Sequence, residues 1–322
     1  MLAIVGDYFR DLSDRFGTAW NRFWFLPSDP LTLSVVRVLT GVVAFYTILT
    51  YTPDLIVFFG SDGLLSPATM QWIDGRFHGF SYLAWLTTPN QLWAAHIAGL
   101  VVIGLFTLGL FTRVTAILSA VVVLSYMNRA IVLTSEMEPV LAFVLVYLCL
   151  APCGAYLSLD RLLGRGKKTP EAPASPVQSQ LSWAATVATR LIQVHLTIVY
   201  LMMVLGQLNE NTWWDGTAIW WLAGRRDSAL TDLTWLHTHP WLVNVWTHGF
   251  VLYEAAFAVL AWNRLAAPLV IALGIVAWGL MALATGLVPL AAIMIVASLA
   301  FVPPSSMRTL LGCCCGQTAA VK

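Results

Sequence analysis

The chain has 322 residues, of which 59% are hydrophobic and only 10% charged, with a mean hydropathy of +0.77 and a net charge of +1. A soluble domain is about one quarter charged, so this composition excludes an ordinary water-facing surface and points to lipid as the solvent. Without a dense Lys/Arg block it also excludes a nucleic-acid partner.

Residues 1–30 mix acids, arginines and aromatics at helical spacing. Phe9, Phe16, Trp20 and Trp24 share one face, which predicts an amphipathic helix lying on the membrane surface rather than a cleaved signal. Residues 31–302 then hold eight apolar runs. These are Leu31–Tyr51, Leu92–Phe111, Val114–Leu133, Pro139–Leu157, Ala184–Leu208, Trp241–Trp262, Leu265–Thr285 and Leu287–Val302. Each is read as crossing roughly 30 Å of hydrocarbon. The expected fold is all-α, a polytopic transmembrane bundle of about eight helices.

Two long connections, Thr52–Gln91 and Asn209–Pro240, are rich in Gly, Pro and Trp and are expected to form interfacial helices on the outer face. Residues 160–182 are polar and rich in Pro, Ala and Ser, which predicts a flexible cytoplasmic linker between four helices and four helices. Residues 303–322 are expected to be a cytoplasmic tail. Placing the linker's Arg161, Arg165, Lys167 and Lys168 inside also puts Arg10, Arg15, Arg22, Arg113, Arg264, Arg308 and Lys322 inside. Only Arg76, Arg225 and Arg226 fall outside. Both termini are therefore expected in the cytoplasm, and a bacterial inner membrane fits the compact chain.

Four charges lie within the runs: Arg37, Arg129, Arg190 and Glu254. Each costs about 2.5–3.5 kcal/mol at a helix centre unless paired or wet. Two readings stay open: an internal polar site with Glu254 neutralising an arginine, or a buried ion pair that locks packing. Arg37 and Arg190 are assigned structural roles, since either can snorkel to the inner interface. Asn128 and Arg129, followed by Glu136 and Glu138, either line a pocket mouth or pair among themselves. His195 is read as a helix–helix hydrogen-bonding residue. His248 and Glu254 are six residues apart and face different directions.

His237-Thr238-His239 lacks a third ligand, and the five cysteines form no zinc pattern. Cys149, Cys153 and the Cys313, Cys314, Cys315 run are read as ordinary thiols, with lipidation or metal as the alternatives. No nucleotide, phosphate or hydrolase fingerprint indicates a cofactor.

Several segments, taken in order, resemble the HTTM family, the membrane domain shared with vitamin K-dependent gamma-carboxylases. They are RVLTGVVAFYTIL, FFGSDGLLSP, GLFTRVTAILSAVVVLSYMNRAIVLTSEME, LAPCGAYLSLD, RLIQVHLTIVYLMMVLGQLNENTWWDGTAIWWL and HGFVLYEAAFAVLAWNR. The resemblance implies the fold. It argues against gamma-carboxylation, because the lysine base that precedes the family's W-x-E-G stretch is replaced here by Gly206-Gln207-Leu208-Asn209. The family's Asn-His pair is Asn128-Arg129, its histidine in the penultimate helix region is replaced near Trp278, and the carboxylase's lumenal domain is missing.

By resemblance alone, a quinone-like or lipid ligand is implied in an outward-facing pocket ringed by Asn128, Arg129, Glu136, Gln207, Asp215 and Glu254. Any catalysis would be that of a quinol-linked membrane oxidoreductase. The alternative is a scaffold, or a maturation and export partner for a peptide, without catalysis. A transporter ranks third, since no inverted repeat is evident.

Overall fold

The computed structural model describes residues 2–66, 69, 79–164, 181–224 and 230–314, excepting the side chains of 2–10 and 313–314. Most of the expected linker lies outside these residues, as do Arg76, Arg225, Arg226, Cys315 and the side chains of Cys313 and Cys314.

All the regular structure described is helical, with one isolated bridge between Ser28 and Ser182. Helix α1 (Leu2–Phe25) is followed by α2 (Leu31–Thr50) and the short α3 (Leu55–Phe59). Next come α4 (Pro89–Leu108), α5 (Thr112–Arg129), α6 (Met137–Leu150) and the one-turn α7 (Leu159–Leu162). The second half holds α8 (Trp183–Leu208), the short α9 (Asn211–Trp214) and α10 (Ala218–Ala223), and α11 (Pro240–Leu260). It ends with α12 (Ala267–Thr285), α13 (Val288–Ser298) and α14 (Pro304–Cys314).

Local chemistry sets these limits. Thr88 and Gln91 form a reciprocal capping box at the start of α4, with Pro89 in the first turn, where its missing N–H costs nothing. Gly109 ends that helix in the left-handed conformation at φ 73°. Helix α6 stops at Leu150 because Ala151 precedes Pro152 and is driven into extended backbone, at ψ 154°.

Every one of the eight apolar runs contains a helix, but their lengths differ. Among the described residues, α2, α4, α8, α11 and α12 are long and apolar enough to cross a membrane. A sixth span results if Val288–Phe301 and Pro304–Gly312, bent by 118°, count as one. Helix α6 has 14 residues, about 21 Å at the helical rise, and is therefore shorter than the run that suggested it. Helix α5 is diluted by Arg113, Ser119, Ser125, Asn128 and Arg129. The chain is thus an all-helical protein with several membrane-spanning helices, an integral membrane architecture.

Packing runs from neighbour to neighbour. Helix α2 packs on α4, α4 on α5, α5 on α6, α6 on α8, α8 on α11, α11 on α12 and α12 on α13, and the ring closes where α13 meets α2. The helices before and after residues 160–182 meet at α6–α8, α6–α13 and α13–α2. Helices α2, α6 and α13 fill the middle. Leu141, Val144, Leu145 and Leu148 of α6 and Ile293, Met294 and Ala297 of α13 are fully buried. Helices α4 and α8 instead present Ile97, Val101, Leu108, Ile198, Leu201 and Met202 outward, the surface a bilayer would cover.

Two glycines allow close approaches in the first half of the chain. A Cβ on Gly41 would meet the Thr107 backbone at 3.1 Å, so this position sets the α2–α4 spacing. A Cβ on Gly109 would collide with the Arg37 guanidinium and sit 2.6 Å from Ser158 Cβ. Gly109→Ala is expected to cost at least about 1 kcal/mol from the left-handed backbone alone, plus the displacement of Arg37. Thermal unfolding in detergent should show a lower Tm than the parent, and an unchanged Tm would show that Arg37 is free to move.

Candidate functional site

Each buried arginine is held by main-chain carbonyls. Arg37, on α2, is inaccessible to solvent, and its Nη2 donates to the Leu157 carbonyl. Leu157 has a left-handed backbone, φ 51°, unusual for a branched residue and worth on the order of 1–3 kcal/mol of strain. That carbonyl lies in the turn that precedes α7, while Gly109 at the C-terminal end of α4 passes over Nη1. The C-terminal end of α4 carries partial negative charge, which suits a cation. Asp160 acts on Arg37 electrostatically without touching it. Its carboxylate accepts 2.9 Å bonds from the backbone N–H of Phe111 and Thr112 and from Thr112 Oγ1, so it starts α5 from 48 residues away.

Arg129 is the last residue of α5. It donates to the carbonyls of Leu65, Phe59 (3.3 Å) and Gly60 (3.4 Å). Asn128 donates to the Phe80 carbonyl at 3.1 Å. Asn128 and Arg129 therefore staple the first outer connection onto the bundle. Neither pairs with Glu136 or Glu138 among the described residues. Glu138 instead accepts from Ser135 N (2.7 Å), Ser135 Oγ (2.6 Å) and Tyr51 Oη (3.3 Å).

Beside Arg129 lies a network that sequence reasoning missed. His96 of α4 is fully buried, with Nδ1 2.7 Å from Tyr126 Oη and Nε2 3.0 Å from Thr52 Oγ1. Tyr126 stacks on Tyr51 with centroids 5.7 Å apart, and Phe59 meets both rings edge-on. The available signal was a lone histidine inside an apolar run. Its partners lie 30 and 44 residues away, so no local pattern displays them. Nearby, burial pushes the Tyr82 phenol up to about 12, which keeps it a neutral donor. A cavity of about 430 Å³, lined by Ile56, Gly60, Asp62, Thr87 and Leu92 among others, opens at this end of α4.

The second half has a different polar centre. Tyr200 Oη lies 3.0 Å from Tyr253 Oη and accepts a 2.8 Å bond from Trp278 Nε1. Glu254, the next residue along α11, is fully buried. Neither of its carboxylate oxygens has a hydrogen bond of ordinary geometry, and the Oε1 of Gln207 has none either. Gln207, at the end of α8, lies close enough to act on Glu254, and Glu136 acts on it electrostatically. A buried acid and a buried amide thus lie beside each other with hydrogen-bonding capacity left unmet.

Of the six residues expected to ring a pocket, Gln207 and Glu254 are neighbours and Glu136 acts on Glu254 only electrostatically, while Asn128 and Arg129 serve the outer connection. Asp215 is exposed on the loop above α11, where its carbonyl accepts from Asn244 Nδ2 at 3.2 Å. Among the described residues no carboxylate forms an ion pair with Arg37, Arg129 or Arg190, and no cation forms one with Glu254, so the buried-pair reading gives way to carbonyl coordination for the two deepest arginines.

The remaining candidates are structural in their contacts. His195 Nδ1 lies 2.9 Å from Tyr147 Oη and joins α8 to α6, as expected of an interhelical hydrogen bond. His237 and His239 bond only within their own turn, and no group of three metal-binding side chains is present among the described residues. Cys149 and Cys153 donate to the carbonyls of Leu145 and Leu148.

No family model matches the chain, and no curated protein or solved structure matches it either. The HTTM resemblance therefore rests on the ordered motifs of the chain itself.

Arg129→Met removes every donor that holds residues 59–65. Hydrogen bonds to a charged group are each worth about 1.5–3 kcal/mol, so a loss of a few kcal/mol is expected. Limited proteolysis should cut this segment in the variant well below the unfolding temperature. Equal resistance of variant and parent would show that the staple is dispensable.

Proposed function

We propose that this protein is an HTTM-type integral membrane protein that binds the polar head of a lipid-like or quinone-like molecule in an outward-facing pocket. In this reading all eight apolar runs pass through or deep into the bilayer, both termini are cytoplasmic, and the membrane is a bacterial inner membrane. Helix α6 and helix α13 are short because other helices enclose them, and a helix shielded from lipid need not match the hydrocarbon thickness.

One observation carries the proposal. Glu254 is buried among apolar helices, neither of its oxygens has a hydrogen bond of ordinary geometry, and Gln207 is the side chain near enough to bond it. An intramembrane acid is expensive and marks function by default. A buried acid and amide with hydrogen-bonding capacity left unmet suit a ligand with polar groups, such as the hydroxyls of a quinol or of a lipid head. Glu136 supplies the outward direction, since it is exposed at the start of α6 and acts on the same carboxylate.

Gamma-carboxylation is not part of the reading. Gln207 stands among the residues where the resemblance calls for a lysine base, and an amide removes no proton. If the bound molecule undergoes chemistry here, it is a quinol-linked oxidation.

Mass spectrometry of small molecules that co-purify in mild detergent tests the proposal. A quinone or isoprenoid enriched over bulk phospholipid is expected. Glu254→Gln, which keeps the shape and removes the ionisable carboxyl, should lower that enrichment about tenfold, the equivalent of one hydrogen bond. Bulk phospholipid alone in the parent protein would sink the pocket and favour the scaffold or peptide-partner role.

A further inference from the structure

Away from that pocket, where α8 begins and α11 ends, three helices meet around a stack of aromatic rings. Phe23 of α1 stacks on Trp262 with centroids 6.0 Å apart and an interplanar angle of 29°. The Arg190 guanidinium of α8 lies over the Phe23 ring at 4.5 Å. Arg190 Nε donates to the Phe23 carbonyl at 3.3 Å and Nη1 to Gln193 Oε1 at 2.9 Å. Gln193 is anchored in turn, its Nε2 donating to the Ala300 carbonyl at 2.8 Å. Trp262 is fixed by its own bond from Nε1 to Thr197 Oγ1, 3.1 Å.

The charge at this junction is one-sided. Arg190 is half-buried, and every partner it has is neutral. Arg22 precedes Phe23, Arg264 follows Trp262 by two residues, and both are exposed. Among the described residues no carboxylate pairs with any of the three. Asp29, at the same end of the bundle, is engaged by Arg308. Tryptophans and half-buried arginines mark the depth of lipid head groups, and basic pockets between helices at that depth recognise anionic heads.

We propose that the junction of α1, α8 and α11 binds the phosphate of an anionic phospholipid. Arg190 is the positioned donor, held flat by Phe23 and Gln193. Arg22 and Arg264 complete the positive field. The Phe23–Trp262 stack covers the glycerol region, and the exposed Ile198 and Val259, each within one turn of the Thr197–Trp262 bond, continue the path for an acyl chain. The site is independent of Glu254, so either assignment can fail alone. It also gives α1 a reason to stay docked, because the lipid would touch α1 and α8 together.

The test uses the full chain in nanodiscs of phosphatidylcholine with or without phosphatidylglycerol. Native mass spectrometry reads the lipid retained after release. Retention of phosphatidylglycerol over phosphatidylcholine is expected, falling about fivefold for each arginine removed in Arg190→Gln, Arg264→Gln or Arg22→Gln. Arg190→Lys should restore part of it. The two exposed substitutions keep the test decisive if Arg190→Gln fails to fold. No preference in the parent, or one unchanged in every variant that folds, overturns the site. Loss of the preference on adding inorganic phosphate at constant ionic strength would assign the arginines to free phosphate and overturn the lipid.

Discussion

A guanidinium deep in an apolar bundle must be met by something, and in this protein it is met by the backbone. Arg37 and Arg129 stand near opposite ends of the first four helices, where Arg37 takes one carbonyl from the turn before α7 and Arg129 takes three from the first outer connection. The desolvation of a paired arginine and carboxylate is heavy on both sides. Carbonyls at helix ends and turns need donors in any case, so an arginine that satisfies them offsets part of its own burial. The whole first half depends on this exchange. Leu157 holds a strained backbone, Gly109 must lack a side chain, and Asp160 turns toward α5, all within reach of one side chain.

The second half is built differently. Its polar groups are hydroxyls, an indole, an amide and a carboxyl, and they lie in the interior rather than at loop junctions. Tyr200, Tyr253 and Trp278 satisfy one another, while Glu254 has only Gln207 near enough to bond it and no bond of ordinary geometry. This contrast separates architecture from a candidate site. In the first half, Arg129 uses its charge to hold residues 59–65. In the second, an ionisable carboxyl is held by the fold without a comparable structural task. The ring closure at α13–α2 and the contact at α6–α8 bring Glu136 of the first half within electrostatic reach of Glu254 of the second, so the candidate pocket draws on both.

Much of the helical framework was legible in the sequence because apolar runs, prolines and glycines act locally. The start of α4 at Thr88-Pro89 and the stop of α6 before Pro152 follow from residues within a turn of each end. The spans were harder to read. Hydropathy merges Val114–Leu133 and Pro139–Leu157 into full-length crossings, whereas the backbone leaves the helix at Arg129 and Leu150, where side-chain and proline geometry intervene. The site was half legible. Glu254, Gln207 and Glu136 were recognisable as polar residues out of place, but Arg129 and Asn128 looked like their partners and are loop staples. His96 went unnoticed because Tyr126 and Thr52 reach it from other helices, and nothing near it in the chain distinguishes it from a packed core histidine.

The distance along the chain between Arg37 and Leu157 has a consequence for biogenesis. The two are 120 residues apart, and a ribosome adds about 5–20 residues per second. Helix α2 therefore leaves the ribosome on the order of ten seconds before the carbonyl that receives its charge exists. During that interval the guanidinium has no place in hydrocarbon, and α2 must wait at the edge of the bilayer or inside the insertion machinery. The first four helices then settle together, once the turn after α6 has been made, rather than one at a time in order of synthesis.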